Sequence, residues 1–361
     1  MKRFLLYFLC CIVADNALAQ QAKQSRIPEF AKMPAENRYD SINAWYVHNV
    51  YLPPVDKSIA ERSLLMMEAR AYADHSNDMA TKASMAFFTG HFISGFERDS
   101  ARGMHYIIEA FNIAEKYSLQ YEWASYTLGL GLMYRDNNKA KSLESLTRAI
   151  EVMDRVSVPN KIEVLYAKHI LGTLYFHLGN YGACIQTLIP VLNGLEGRAI
   201  KIDLIQANNT VGLAYREIGD NDSALFYFRK VLASAEAKPV FPSWIGIAAG
   251  NIGSVYLKQH QLDSALIYAL KNYDLVKDDP NVSGVGVAEA LVLLSTVYLE
   301  QHKTDQVISL LSPAEKLITA KQIYYSYNVE YLLLKVNYIL ARAYHDKGDQ
   351  PPRPNRRRWT G

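Results

Sequence analysis

The sequence predicts an all-α chain: a right-handed α-solenoid of antiparallel helix pairs repeating every 40–42 residues. Three observations carry that prediction. A small residue and, three positions on, a tyrosine follow an apolar residue at Gly131/Tyr134, Gly172/Tyr175, Gly212/Tyr215, Gly253/Tyr256, Ser295/Tyr298 and Ala341/Tyr344. The copies opened by these pairs begin at Leu130, Leu171, Val211, Ile252, Leu294 and Leu340, so four steps are 40–42 residues and the last is 46. Pro159, Pro239 and Pro280 fall late in the copies, between one helix pair and the next, where a helix has to stop.

Taken from the start, residues 1–19 read as a secretory signal peptide. They have a basic start at Lys2 and Arg3, an apolar run from Phe4 to Ala14, and Ala17-Leu18-Ala19 as a cleavage site before Gln20. The run is shorter than the roughly 20 apolar residues of a membrane span. A lipoprotein signal at Cys10 or Cys11 is disfavoured by the bulky Leu9. The chain is therefore expected to be exported, to the periplasm or the extracytoplasmic face of the membrane.

Residues 20–40 are polar, carry Pro28 and Pro34 and have no period, which suits a flexible lead-in. From Ser41 to residue 121 the patterning is helical but departs from the repeat, as terminal repeats do when one face lacks a neighbour. Expected here are a helix from Asp56 to His75 capped by Asp56, a turn at Ser76-Asn77-Asp78, and helices from Met79 to about Phe96 and from Ser100 to about Tyr117.

The array proper runs from Glu122 to Gln350, and its clearest copy is LGTLYFHLGNYGACIQTL, Leu171 to Leu188. It resembles the tetratricopeptide repeat family, in which helix A carries a Leu-Gly pair and a tyrosine, a glycine makes the turn, and helix B carries small and aromatic residues. Here Gly179, Gly219 and Gly348 take the turn, Ala224 and Ala265 the small position of helix B, and Phe228 its aromatic position. The family period is about 34, so each unit here has gained about one turn per helix. On a helix the apolar, small and tyrosine positions share one stripe, and the small residue lets helix B approach.

Cys184 aligns with Ala224 and Ala265, so it reads as a buried thiol standing in for alanine, the one cysteine left after leader cleavage. Pro190 and Pro313 each lie 19 residues into their copies, inside a helix B, where a proline bends the helix. The bend is either a tolerated feature of an outer helix or a deliberate change of curvature. After Gln350 the repeat stops: PPRPNRRRWTG replaces helix B, as a truncation, a frame change or a native basic tail.

Charge and motifs exclude several function classes. Removing the six Lys and Arg of the leader and tail from 39, and Asp15 from 36, leaves 33 basic and 35 acidic residues, with no clustered basic face to hold nucleic acid. No HExxH, CxxC pair, GxxxxGK[ST] or GxSxG occurs, so neither a cofactor nor a metal is expected, and the chain is read as non-enzymatic. His260 and His302 stand where other copies have the turn glycine, which makes them turn residues rather than ligands.

What remains is a groove. In the family the concave surface is lined by helix A on the side away from helix B. The resemblance places there Tyr166, His169 and Thr173, then Gln206, Asn209, Leu213 and Arg216, then Asn251 and Ser254, then Glu289 and Thr296. Spacings of three, four or seven keep each set on one stripe, and amides suit the backbone of an extended peptide or protein segment. The lysines with which some family members clamp a terminal carboxylate are absent. Signal peptide, long period and an array cut mid-repeat resemble the extracytoplasmic arrays of bacterial sensor kinases and regulators. The expected role is the sensory or interaction arm of a signalling protein, with membrane contact only through a missing C-terminal segment. The alternative is a free periplasmic scaffold for envelope complexes.

Overall fold

The computed structural model describes residues 35–51, 58–75, 77–135, 137–156, 161–195, 201–237, 242–279, 282, 284–314 and 329–349. Fifteen α-helices and no strand occur among them. The proposed leader, residues 20–34, Asp56, the three inter-repeat prolines and the basic tail lie outside the described residues. The chain divides into two compact units at Asp203/Leu204.

The first unit contains α1 (Ala35–Tyr46), α2 (Ile59–His75), α3 (Met79–Phe92), α4 (Ser100–Lys116), α5 (Gln120–Tyr134), α6 (Lys139–Arg155), α7 (Lys161–His177) and α8 (Tyr181–Leu195). Helix α1 continues into a π-helical turn at Val47–Tyr51, and α3 into another at Ile93–Glu97. Odd-numbered helices are the A members of each pair. Helicity begins at Ala35, ahead of the expected Ser41, and Tyr39, Ile42 and Tyr46 are fully buried beside Phe88 of α3. Aromatic residues at helical spacing hold α1 down although its mean hydropathy is low. For α2 the cap is Ser58: its Oγ accepts from the Glu61 N–H, and Glu61 Oε2 accepts from the Ser58 N–H, a capping box. Asp78 caps α3, and the other two N-terminal helices end near the expected positions.

Helix α9 (Lys201–Ile218) spans the boundary. The second unit continues with α10 (Asn221–Glu236), α11 (Pro242–Lys258), α12 (Leu262–Val276), α13 (Gly284–Glu300), α14 (Thr304–Leu311) and α15 (Val329–Lys347). Its helices pack in sequential order, α11 on α12, α12 on α13, and α13 on α14 and α15.

The small residue of the motif acts by contact. A Cβ on Gly172 would meet Leu188 at 2.5 Å, and one on Gly212 would meet Phe228 at 2.7 Å. Across from these sites Cys184, Ala224 and Ala265 are fully buried, so the cysteine does replace an alanine; burial pushes its thiol up to about 12 and keeps it un-ionised.

Each A helix from α7 onward ends in one backbone motif. The N–H five residues after the motif tyrosine returns to that tyrosine's carbonyl: Asn180 to Tyr175, Asp220 to Tyr215, Gln261 to Tyr256, Lys303 to Tyr298 and Asp349 to Tyr344, all within 2.9–3.0 Å. This is a Schellman stop, and it needs a left-handed residue at its turn. Gly179 (φ 75°), Gly219 (φ 90°) and Gly348 (φ 80°) supply it, but His260 (φ 56°) and His302 (φ 58°) do so as well. The histidines are thus exposed turn residues, as expected. The next residue caps helix B where it is Asn180 or Asp220, whereas Gln261 and Lys303 make no side-chain cap bond.

The two prolines differ. Pro190 lies inside α8 and is exposed. Pro313, expected inside a helix B, instead follows the end of α14 at Leu311 in a turn. The interruption is short, since Ala314 is helical again, as expected where a proline removes one backbone N–H.

Candidate functional site

In the second unit, positions one period apart on successive A helices meet. Asn251 of α11 donates from Nδ2 to Asn209 Oδ1 of α9 at 2.8 Å. Arg216 donates from Nη1 to Asn251 Oδ1 at 3.2 Å, and from Nε and Nη2 to Glu217 Oε1 at 3.2 and 3.0 Å. Lys258 Nζ donates to the Arg216 carbonyl at 3.3 Å. Three of the proposed groove residues, Asn209, Asn251 and Arg216, therefore form one network. Both amides are half-buried. These bonds use one N–H of Asn251, leaving its second and both of Asn209 to be offered to a ligand carbonyl.

The other proposed residues divide. Gln206 and Ser254 are half-buried on the same two helices, and their side chains make no hydrogen bond among the described residues; Glu289 is exposed on α13. Leu213 is half-buried and packs against the cluster of Ala224, Leu225, Phe228, Ile252 and Val255. The Thr296 hydroxyl donates to the Val292 carbonyl of its own helix at 2.7 Å, a local bond that occupies its donor.

In the first unit Tyr166 and His169 are 7% and 3% exposed. Both are buried within the helix layer, a correction to their placement on an open groove: their rings meet edge to face at 6.5 Å. Burial pushes the His169 imidazole down to about 4, so it is neutral. The Thr173 hydroxyl donates to the His169 carbonyl at 3.0 Å.

A second constellation in this unit was not read from the sequence. Tyr121 of α5 places its hydroxyl oxygen 3.1 Å from Asp40 Oδ1 of α1 and 2.6 Å from Glu163 Oε2 of α7. Asp40 is 6% exposed and Glu163 1%. Desolvation raises both acids, Asp40 to about 6 and Glu163 to about 7, against the lowering effect of the Tyr121 hydrogen bond. Only the 42-residue spacing of Tyr121 and Glu163, also seen between Ser84 and Tyr126 and between Asn209 and Asn251, could have signalled the contact.

Among the described residues no group of three or more His, Cys, Asp or Glu is placed to hold a metal ion. No described helix is long and apolar enough to cross a membrane.

Repeated pairs of this geometry define a helical-repeat protein. The family model described as tetratricopeptide repeat matches residues 205–238, the α9–α10 pair. No curated protein matches it by sequence. Among solved structures, the apo form of the quorum sensor NprR from B. thuringiensis is 16% identical, with a TM-score of 0.60 over 79% of this chain and 76% of that one. The Signal Transduction ATPase with Numerous Domains protein with a tetratricopeptide repeat sensor from Pyrococcus horikoshii is 15% identical, with a TM-score of 0.59 over 89% of this chain and 46% of that one. A Rap protein complexed with Competence and Sporulation Factor is 13% identical, with a TM-score of 0.57 over 90% and 84%. At these identities the likeness is one of fold.

Proposed function

We propose that this chain is a non-catalytic interaction module that binds an extended peptide or protein segment along its A helices. The observation that carries the reading is the Asn209–Asn251–Arg216 row, which sets amides at one-period spacing with N–H groups still to be used. An extended peptide repeats its carbonyls along its length, so a row of amides can follow it with little regard to sequence. Structures of similar fold include NprR in complex with its cognate peptide NprX and the Rap complex above, which supports a peptide ligand. Export by the leader and service as the sensory arm of a signalling protein complete the reading.

The test is selection from a random peptide library on the purified protein, followed by calorimetry of the selected peptides. Asn209→Ala and Asn251→Ala should each weaken binding about tenfold, the loss of one hydrogen bond to a buried partner. Unchanged affinity in the double variant refutes the site. Export is checked separately, by N-terminal sequencing of the mature protein for a start at Gln20.

The alternative, a free periplasmic scaffold, draws on Phe226 and Ile267, which are 53% and 65% exposed at equivalent positions of α10 and α12. It requires stable protein partners in detergent extracts and no peptide binding.

A further inference from the structure

The Tyr121 hydroxyl has one hydrogen, yet its oxygen lies within hydrogen-bond distance of two buried carboxyls on two other helices. With both acids ionised, Tyr121 could donate to only one of them, and the other would face its lone pairs. Two bonds among three oxygens need two hydrogens, so the arrangement requires one proton beyond the ionised state. Glu163 is the more buried acid, and besides Tyr121 it is met by the buried Ser125 hydroxyl of α5. It therefore holds the proton, donating from Oε2 to Tyr121, which donates in turn to Asp40.

We infer that Asp40, Tyr121 and Glu163 form a proton-held latch that fastens the N-terminal helix α1 to α5 and α7, so that opening of α1 is coupled to release of one proton.

The Ser125 hydroxyl of α5 also acts on Glu163, but it is a neutral donor outside the two Tyr121 bonds and does not supply their second hydrogen. From α1 the neighbouring titratable group is Tyr39, whose ring meets Tyr121 edge-on at 5.4 Å. From α5 come Tyr126 and Glu122, and from α3 Asp78, whose charge acts on Tyr126. From α7 it is Glu163 itself. Among the described residues no Lys, Arg or His acts on either acid. The sign follows from the raised folded-state acidities. The latch is complete below the unfolded carboxyl values of about 4 and is lost as the pH rises through about 7, where Glu163 ionises. Apolar burial of Ile42, Trp45 and Tyr46 continues to hold α1, so the effect is a weakening rather than detachment.

Hydrogen exchange of the full chain, read by mass spectrometry on peptides covering residues 35–51 and corrected for intrinsic rate, tests the latch. Between about pH 5 and 6.5, where Glu163 holds its proton in the closed state and has lost it in the open one, the opening equilibrium of α1 should rise about tenfold per pH unit and level off above about pH 7, while peptides from α10 and α12 stay level. Glu163→Gln and Asp40→Asn each supply a fixed donor, so both should flatten the α1 profile. A merely structural role would lower protection equally at every pH and leave the slope intact, overturning the inference. A flat wild-type profile overturns it as well, whether or not the variants fold.

Discussion

The turn between α11 and α12 can be improved with parts from the turn one repeat earlier. At both turns the same Schellman bond closes helix A, Asp220 N–H to Tyr215 carbonyl at 3.0 Å and Gln261 N–H to Tyr256 carbonyl at 2.9 Å. The earlier turn has Gly219 in the left-handed position and Asp220 capping the Ser223 N–H at 3.0 Å. The later one has His260 at φ 56° and no side-chain cap. Replacing His260→Gly removes a left-handed cost of about 1–2 kcal/mol, offset by about 0.4–1 kcal/mol of added freedom in the unfolded chain. Gln261→Asp adds a cap worth about 1 kcal/mol. The double variant should therefore be about 1–2.5 kcal/mol more stable than wild type. Asp220 is nearly fully exposed, so the gain at the equivalent position comes from the bond to the N–H, with no contribution from burial. Urea denaturation, with amide exchange confined to α11 and α12 to isolate the repeat, measures the gain. No gain, or a loss from His260→Gly alone, would refute the claim that the backbone there is the strained form of the glycine turn.

Two further outcomes follow from the core. Gly212→Ala puts a methyl 2.7 Å from the Phe228 ring; overpacking of about 1–3 kcal/mol should outweigh the helix-propensity gain of about 1 kcal/mol, and Phe228→Leu should restore part of the loss. A more stable Gly212→Ala chain in urea melts contradicts the close approach. His91, buried edge-on to Phe87, is pushed down to about 4 by burial. As its folded value is depressed below about 6.5, its stability contribution falls as the pH drops through that window, by at most about 1.4 kcal/mol per unit. Melts from pH 7 to 4.5 should therefore shift in favour of a His91→Phe variant, and a constant difference between the two refutes the assignment.

Periodicity made most of the architecture legible, because a stripe of apolar, small and aromatic positions can be satisfied only by a close-packed helix pair. It located Gly172, Gly212 and Cys184 in the packing and His260 and His302 in turns. It was less informative about the polar candidates. Threonines at helical positions donate to the carbonyl four residues earlier, and the burial of Tyr166 and His169 depends on how neighbouring helices cover them. Neither is written in the spacing of one helix.

Pattern along the chain is a local property, so it established the helix pairs, their period and the turns that join them. Which side chains meet between pairs is set by tertiary placement over 40 to 80 residues. That placement alone linked Asn209 to Asn251 at 2.8 Å and brought Asp40 and Glu163 to the same tyrosine oxygen. A lone carboxylate in the sequence reads as a solvated charge, and only exclusion of water by surrounding helices turns it into a group that must share a proton.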